Sequence, residues 1–329
     1  MHKNKLVVIG VGHVGSYVLA DAMKLGLFAE IGVIDILENV AYGEALDQAQ
    51  ATALTYMNNV EVKSGGYEQC EDADVIIIAA GPSMIPDPND PKGEPDRTLL
   101  TKINCGVIRD VMSGITKYTR DAIIILITNP LDTMVYIAEN EFNYPKGRVF
   151  GTGTMLDSAR LRKFIADTYK IDPKSVTGYM MGEHGSTAFP VLSHVNVSGI
   201  PFLELNEYFE GSQDINNPEV VKSSIITSAY EVFNGKGWTN ACVAQSAVTM
   251  AKAVLLDEKS VYPVSTTLRG QYGHDGDVAL SMPCVIGREG VIKQLPVKLN
   301  EWETKKLEES IYFIKSTMKD AKTGPEFKS

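Results

Sequence analysis

The chain has 329 residues, 44% of them hydrophobic and 22% charged, and its 41 acidic side chains against 31 basic ones leave a net charge of −10. That composition excludes a disordered or fibrous chain, and the length exceeds what one core of roughly 250–300 residues serves well, so two domains are expected. The acidic balance argues against nucleic acid or an anionic membrane as the main partner, although a local Arg pocket can still bind an anionic substrate.

The first half alternates short apolar strands with helical stretches. Strands are expected at Leu6–Ile9, Ile31–Ile36, Val75–Ala80 and Ile123–Thr128, and helices at Val14–Leu25, Ala41–Tyr56 and Leu99–Tyr118. Continuous apolar runs of strand length, with helices between them, are the pattern of strands buried on both faces of a parallel, doubly wound sheet. The stretch from Gly81 to Arg97 is the one long irregular connection, rich in Pro and Asp. It follows a strand end, where such sheets bind ligands. Beyond about residue 150 the texture changes. Helices are expected at Asp157–Tyr169, Val221–Phe233, Asn240–Leu256 and about Glu301–Asp320, and strands at Ser175–Met181 and Val278–Ile286. The reading is a Rossmann-type domain over 1–150 followed by a mixed α+β domain over 151–329.

Cys70, Cys105, Cys242 and Cys284 lie far apart with no CxxC pair, which points to reduced thiols rather than disulfides or a metal site. The apolar run Leu6–Ile9 is too short for a signal peptide, and no run approaches the roughly 18 residues of a membrane span. A cytoplasmic protein is the expectation.

Gly10, Gly12 and Gly15 form GVGHVG directly after the first strand. The first Gly permits a tight turn, the second lets backbone approach a pyrophosphate, and the third lets the helix pack close to the sheet. Asp35 follows at the end of the second strand, where a carboxylate binds ribose hydroxyls and repels a 2′-phosphate, favouring NAD over NADP. The alternative is a glycine turn plus a solvated Asp.

Four further features suit hydride transfer to a 2-keto acid. His184 lies in GEHG and titrates near neutrality, as a proton donor must. Asp157 and Arg160 in LDSAR are three apart and share a helix face, with Arg suited to grip a carboxylate through two oxygens. Arg97 ends the long loop, and Asn129 in TNP closes a strand. Each also has a bland reading: a satisfied loop histidine, a surface ion pair, a helix-start cation and a turn residue.

What distinguishes these readings is joint occurrence. GVGHVG, VIDI, DR ahead of a helix, TNP, GTGTMLDSAR, GEHG, GWTNACVAQSAV and YPVSTTLRGQYG stand in the order of the L-lactate and malate dehydrogenase family. The chain resembles that family over essentially its whole length. The resemblance implies NAD held by Gly10, Gly12, Val14, Gly15, Asp35 and Asn129. It makes His184 the proton donor, Asp157 the residue that orients it, and Arg97 the group that polarises the carbonyl. Arg160 would bind the substrate carboxylate, Asn129 would lie near nicotinamide and substrate, and Thr239 and Val243 would line the side-chain pocket. The family also implies a homotetramer or homodimer.

Malate-type members resemble one another in carrying an extra Arg in the loop before Arg97. Between Pro82 and Asp96 this chain has none, and its only cation there is Lys92. A site lacking the partner charge rejects a dicarboxylate, so a small 2-keto or 2-hydroxy monocarboxylate is expected, with pyruvate and L-lactate first. The loop is longer than usual, which leaves open an L-2-hydroxyisocaproate-type enzyme for bulkier keto acids; a malate dehydrogenase and a non-catalytic NAD sensor are the remaining readings. Arg162 matches the Arg through which bacterial relatives bind fructose 1,6-bisphosphate, but Thr177 stands where they have the effector His, so little or no activation is expected.

Overall fold

The computed structural model describes residues 4–83, 97–210 and 215–327, without the Arg97 side chain. The first half comprises β1 (Lys5–Ile9), α1 (Gly15–Leu25), β2 (Glu30–Ile34), α2 (Glu38–Ala51), β3 (Glu61–Ser64), β4 (Val75–Ile78), α3 (Arg97–Ile115), β5 (Ile123–Leu126), α4 (Leu131–Asn140) and β6 (Val149–Gly151). The second comprises α5 (Met155–Tyr169), β7 (Val176–Thr177), β8 (Met180–Met181), β9 (Phe189–Pro190), β10 (Asn196–Val197), β11 (Ile200–Pro201), α6 (Leu205–Tyr208), α7 (Pro218–Lys236), α8 (Ala241–Leu255), β12 (Ser260–Arg269), β13 (Asp275–Gly287), β14 (Gly290–Gln294) and α9 (Glu301–Asp320).

The strands from β1 to β6 run parallel in the order β3-β2-β1-β4-β5-β6, the doubly wound Rossmann arrangement. Their apolar residues explain the burial: β1, β4 and β5 are buried at every position. The order reverses between β1 and β4, so the crevice for a ligand opens beyond Ile9 and Ile78.

Three antiparallel strands from the second half extend the same sheet, with β12 paired to β6 at Ser265 and Gly151. The main core accordingly draws residues from both halves, from Leu6 to Met318. A smaller core lies wholly within the second half, between α5, α7 and the short strands, with Leu161, Phe202 and Ile225 among its members. The stretch expected as one strand over Ser175–Met181 is two, β7 and β8, which belong to different small sheets.

Helix α4 ties these halves together. Its first-turn Asp132 accepts from Ser265 Oγ at 2.6 Å, and its Glu139 accepts from Thr267 N at 2.6 Å, both on β12. Helix α9 begins with a capping box in which Asn300 and Glu303 satisfy each other's backbone N–H groups. Fully buried Glu303 also accepts from Ser193 N and Oγ, fixing α9 to the loop after β9. No helix among the described residues is long and apolar enough to cross a membrane, and all four cysteines are free.

Candidate active site

The glycine loop is a consequence of tight backbone packing. Gly10 has φ +87°, donates its N–H to Ile34 O, and leaves no room for a Cβ, which would stand 2.5 Å from Ala80 Cα. At Gly15 a Cβ would fall 1.8 Å from Gly10 O. Gly12, by contrast, faces open space, so the start of α1 presents its backbone N–H groups and positive dipole end to the crevice. Val14 sits at the N-cap of α1. Asp35 follows β2 directly; its two carboxylate oxygens accept from Val11 N at 2.9 Å and Leu37 N at 3.0 Å. That orients the carboxylate while leaving lone pairs for hydroxyl donors. These residues fit a dinucleotide: an open cradle for the diphosphate and a fixed acceptor for ribose.

The ends of β4 and β5 are held together from behind. Buried Asn104 on α3 donates to Pro82 O at 3.0 Å and to Asn129 O at 2.6 Å. Asn129 itself is exposed at the end of β5 and precedes a cis-proline.

A cleft of about 500 Å³ opens beside it, lined by Asn129, Asp157, Arg160, His184 and Thr239 among others. Three consecutive residues leading to the histidine are pinned by three different elements. Gly182 pairs with Ser281 on β13, Glu183 N donates to Ser310 Oγ on α9 at 2.8 Å, and His184 N donates to Asp132 Oδ2 on α4 at 2.8 Å. The ring is then fixed by its Nδ1, 2.7 Å from Asp157 Oδ2. Asp157 Oδ1 accepts from Arg160 Nη1 at 3.1 Å, one helical turn along α5. These three side chains are only 16%, 9% and 16% exposed for His184, Asp157 and Arg160, so this is no surface ion pair.

The electrostatics follow from this geometry. Burial alone would lower the His184 pKa, but the Asp157 charge and hydrogen bond, aided by Asp132, hold it above the ordinary value. Burial alone would raise Asp157, but His184 and Arg160 hold it below the usual carboxylate range. The pair is therefore an imidazolium poised against a carboxylate. With Nδ1 committed to Asp157, Nε2 is the ring nitrogen left to exchange a proton with a ligand.

Not every expected residue is placed in this cleft. Val243 is buried on α8 within the main core and is absent from the cleft lining. Arg97 opens α3, but its side chain lies outside the described residues, as does the 84–96 segment with Lys92. Arg162 donates Nε–H to Ser158 O, and Thr177 is exposed on β7. Sequence reading missed the α7 wall of the cleft (Ile226, Ala229, Tyr230), the α9 wall (Phe313, Ser316) and the buried Asp132. Among the described residues no group of three or more His, Cys, Asp or Glu is arranged to hold a metal ion.

Residues 4–151 match the lactate/malate dehydrogenase NAD binding domain, and residues 154–324 match the alpha/beta C-terminal domain of the same family. The chain belongs to the lactate/malate dehydrogenase family. It is 46% identical to L-lactate dehydrogenase 2 of Clostridium acetobutylicum over 322 residues, 98% of both proteins. Among solved structures, the minor L-lactate dehydrogenase of Enterococcus mundtii superposes with a TM-score of 0.89 at 32% identity, covering 97% of this chain and 98% of that one. Cryptosporidium parvum malate dehydrogenase gives 0.87 at 30% identity, covering 97% and 99%. As a lactate/malate dehydrogenase family member the chain is an NAD-dependent oxidoreductase of hydroxy acids, and the backbone alone does not separate the two substrates within it.

Proposed function

We propose that this protein interconverts pyruvate and L-lactate, with residues 1–150 holding NAD and 151–329 supplying most of the substrate-side chemistry. The observation that carries the reading is the His184–Asp157–Arg160 constellation on one wall of the cleft, with His184 Nδ1 2.7 Å from Asp157. Gly10, Gly12, Val14, Gly15, Asp35 and Asn129 hold the cofactor, which when bound as NADH supplies the hydride.

In this reading Arg160 pairs with the keto acid's carboxylate and sets its C2 carbonyl toward His184. The imidazolium gives its Nε2 proton to the carbonyl oxygen as C2 is reduced, and Asp157 keeps the remaining Nδ1–H in place. Arg97 polarises the same carbonyl, and Thr239 bounds the methyl side of the pocket. In the oxidation direction His184 begins neutral and takes the hydroxyl proton. Reduction is thus favoured where His184 is protonated and falls as pH rises through its elevated pKa.

Identity to a named L-lactate dehydrogenase supports the monocarboxylate, as does the absence of Arg from the sequence between Pro82 and Asp96. We further infer a cytoplasmic homo-oligomer. The exposed apolar side chains at the start of α2 and along it, with the N-cap Leu37 57%, Tyr42 61% and Leu46 43% exposed, support association with a second copy. The test of function is NADH oxidation with pyruvate, 2-ketoisocaproate, phenylpyruvate and oxaloacetate at matched concentrations. The highest kcat/KM is expected for pyruvate. A preference for the bulky acids would move the assignment to a hydroxyisocaproate-type enzyme, one for oxaloacetate would make it a malate dehydrogenase, and no turnover despite NADH binding would leave a sensor.

A further inference from the structure

Asp132 takes no direct part in the chemistry above, yet it is a carboxylate only 3% exposed immediately behind the histidine. Its Oδ2 accepts the His184 N–H at 2.8 Å and its Oδ1 accepts the Ser265 hydroxyl at 2.6 Å. An asparagine would meet the same two partners, its amide oxygen accepting from His184 N and its NH2 donating to Ser265 Oγ. Burying an ionisable group there costs far more than burying the amide, so the charge itself calls for a reason. Burial pushes the Asp132 carboxyl up to about 7, against the opposing hydrogen bonds from Ser265 and His184. Its charge is thus held by these two donors against the cost of burial, directly beside the imidazole.

Facing Asp132 from the β8–β9 turn are Glu183 and His184, and from β12 the neutral Ser265. His184 is in turn faced by Asp157 and Arg160 from α5 and by Asp132 from α4. Arg160 opposes protonation of the ring, while the two aspartates favour it. Asp157 acts through the ring nitrogen, and Asp132 acts through the backbone and through space.

We propose that Asp132 is a second positioning carboxylate for His184, holding its main chain in place and adding the negative charge that keeps the imidazole protonated. This rests on His184 being the proton donor. Ser265 belongs to the same device, because its hydroxyl favours the charged form of Asp132.

The test compares wild type, Asp132→Asn and Ser265→Ala as full-length holoenzyme, reading the pH dependence of kcat/KM for pyruvate reduction. In parallel, the His184 ring is titrated by NMR, with its resonance assigned through a His184→Asn variant. In Asp132→Asn the falling limb and the ring pKa are both expected to move down by about one unit. The rate then drops roughly tenfold above the limb and little below it. Ser265→Ala is expected to shift both in the same direction by about half as much. If both variants keep the wild-type ring pKa within about a quarter of a unit, the proposal is overturned, and any rate loss is structural. Should Asp132→Asn fail to fold, the Ser265→Ala shift decides alone. The NMR titration separates the two claims. A shifted ring pKa in an enzyme that reduces no keto acid would uphold the charge role and sink the proton-donor reading.

Discussion

The two ends of the cleft recognise charge by opposite means. At the cofactor end the polar groups are mainly backbone: the start of α1 presents N–H groups to open space at Gly12, and the Asp35 carboxylate is fixed by two main-chain donors. At the proton-donor end the polar groups are side chains, and Asp157, Asp132 and His184 are nearly withdrawn from water. A backbone cradle binds a fixed anion and needs no tuning. A proton donor must change charge during turnover, and only buried neighbours of chosen sign can place its pKa. The difference predicts that damage at one end will leave the other end's signature intact.

The largest effect is expected at the buried end. His184→Ala removes the proton donor and should lower kcat about a thousandfold, while NADH binding, read by fluorescence or calorimetry, changes little. A comparable loss of NADH affinity would show that the two ends are not separable. At the open end, Asp35→Ala should raise the dissociation constant for NADH roughly ten- to a hundredfold through lost charged hydrogen bonds. The falling limb of the pH profile should stay where it was, because Asp35 is bound to Val11 N and Leu37 N, whereas the ring of His184 is set by Asp157. A shifted limb would break the comparison from the other side.

The same contrast governed what could be read from the sequence. β1, β4 and β5 were legible because a strand buried on both faces needs a continuous apolar run. The glycine loop was legible because its demands are local. β3 was not, since Glu61–Ser64 is half exposed and has one apolar residue, Val62, among charged and polar ones. α4 was missed although it is buried from Leu131 to Ala138; its Asp132 and Glu139 read as solvated side chains in the sequence, while in the fold their partners lie on β12. β12 was hidden by Pro263 and by fully buried polar residues whose partners, Asp132 and Glu139, lie on α4. His184, Asp157 and Arg160 were found through motifs, yet their burial and Asp132's link to His184, 52 residues away, are products of the fold. Val243 came from the resemblance alone; it is buried near the start of α8, two residues after Ala241, and no feature of the sequence marks it for the pocket.

One contact spans the divide. His13, within the glycine loop, stacks on Trp238, with ring centroids 3.8 Å apart and planes 7° from parallel. Trp238 immediately precedes Thr239, which lines the cleft, so the stack joins the cofactor cradle to the substrate wall. Trp238→Leu removes an aromatic pair worth roughly 0.5–1.5 kcal/mol, which corresponds to a two- to tenfold weaker grip on NADH, with the pH limb unmoved. The measurement is spectroscopic as well as kinetic. The chain has two tryptophans, and Trp302 lies elsewhere, edge-on to Phe189. In a Trp302→Phe background, emission from Trp238 should change as NADH fills the cradle beside His13. If neither the emission nor the affinity responds, the stack joins the two ends in space without coupling them, and the ends act as independently as their chemistry suggests.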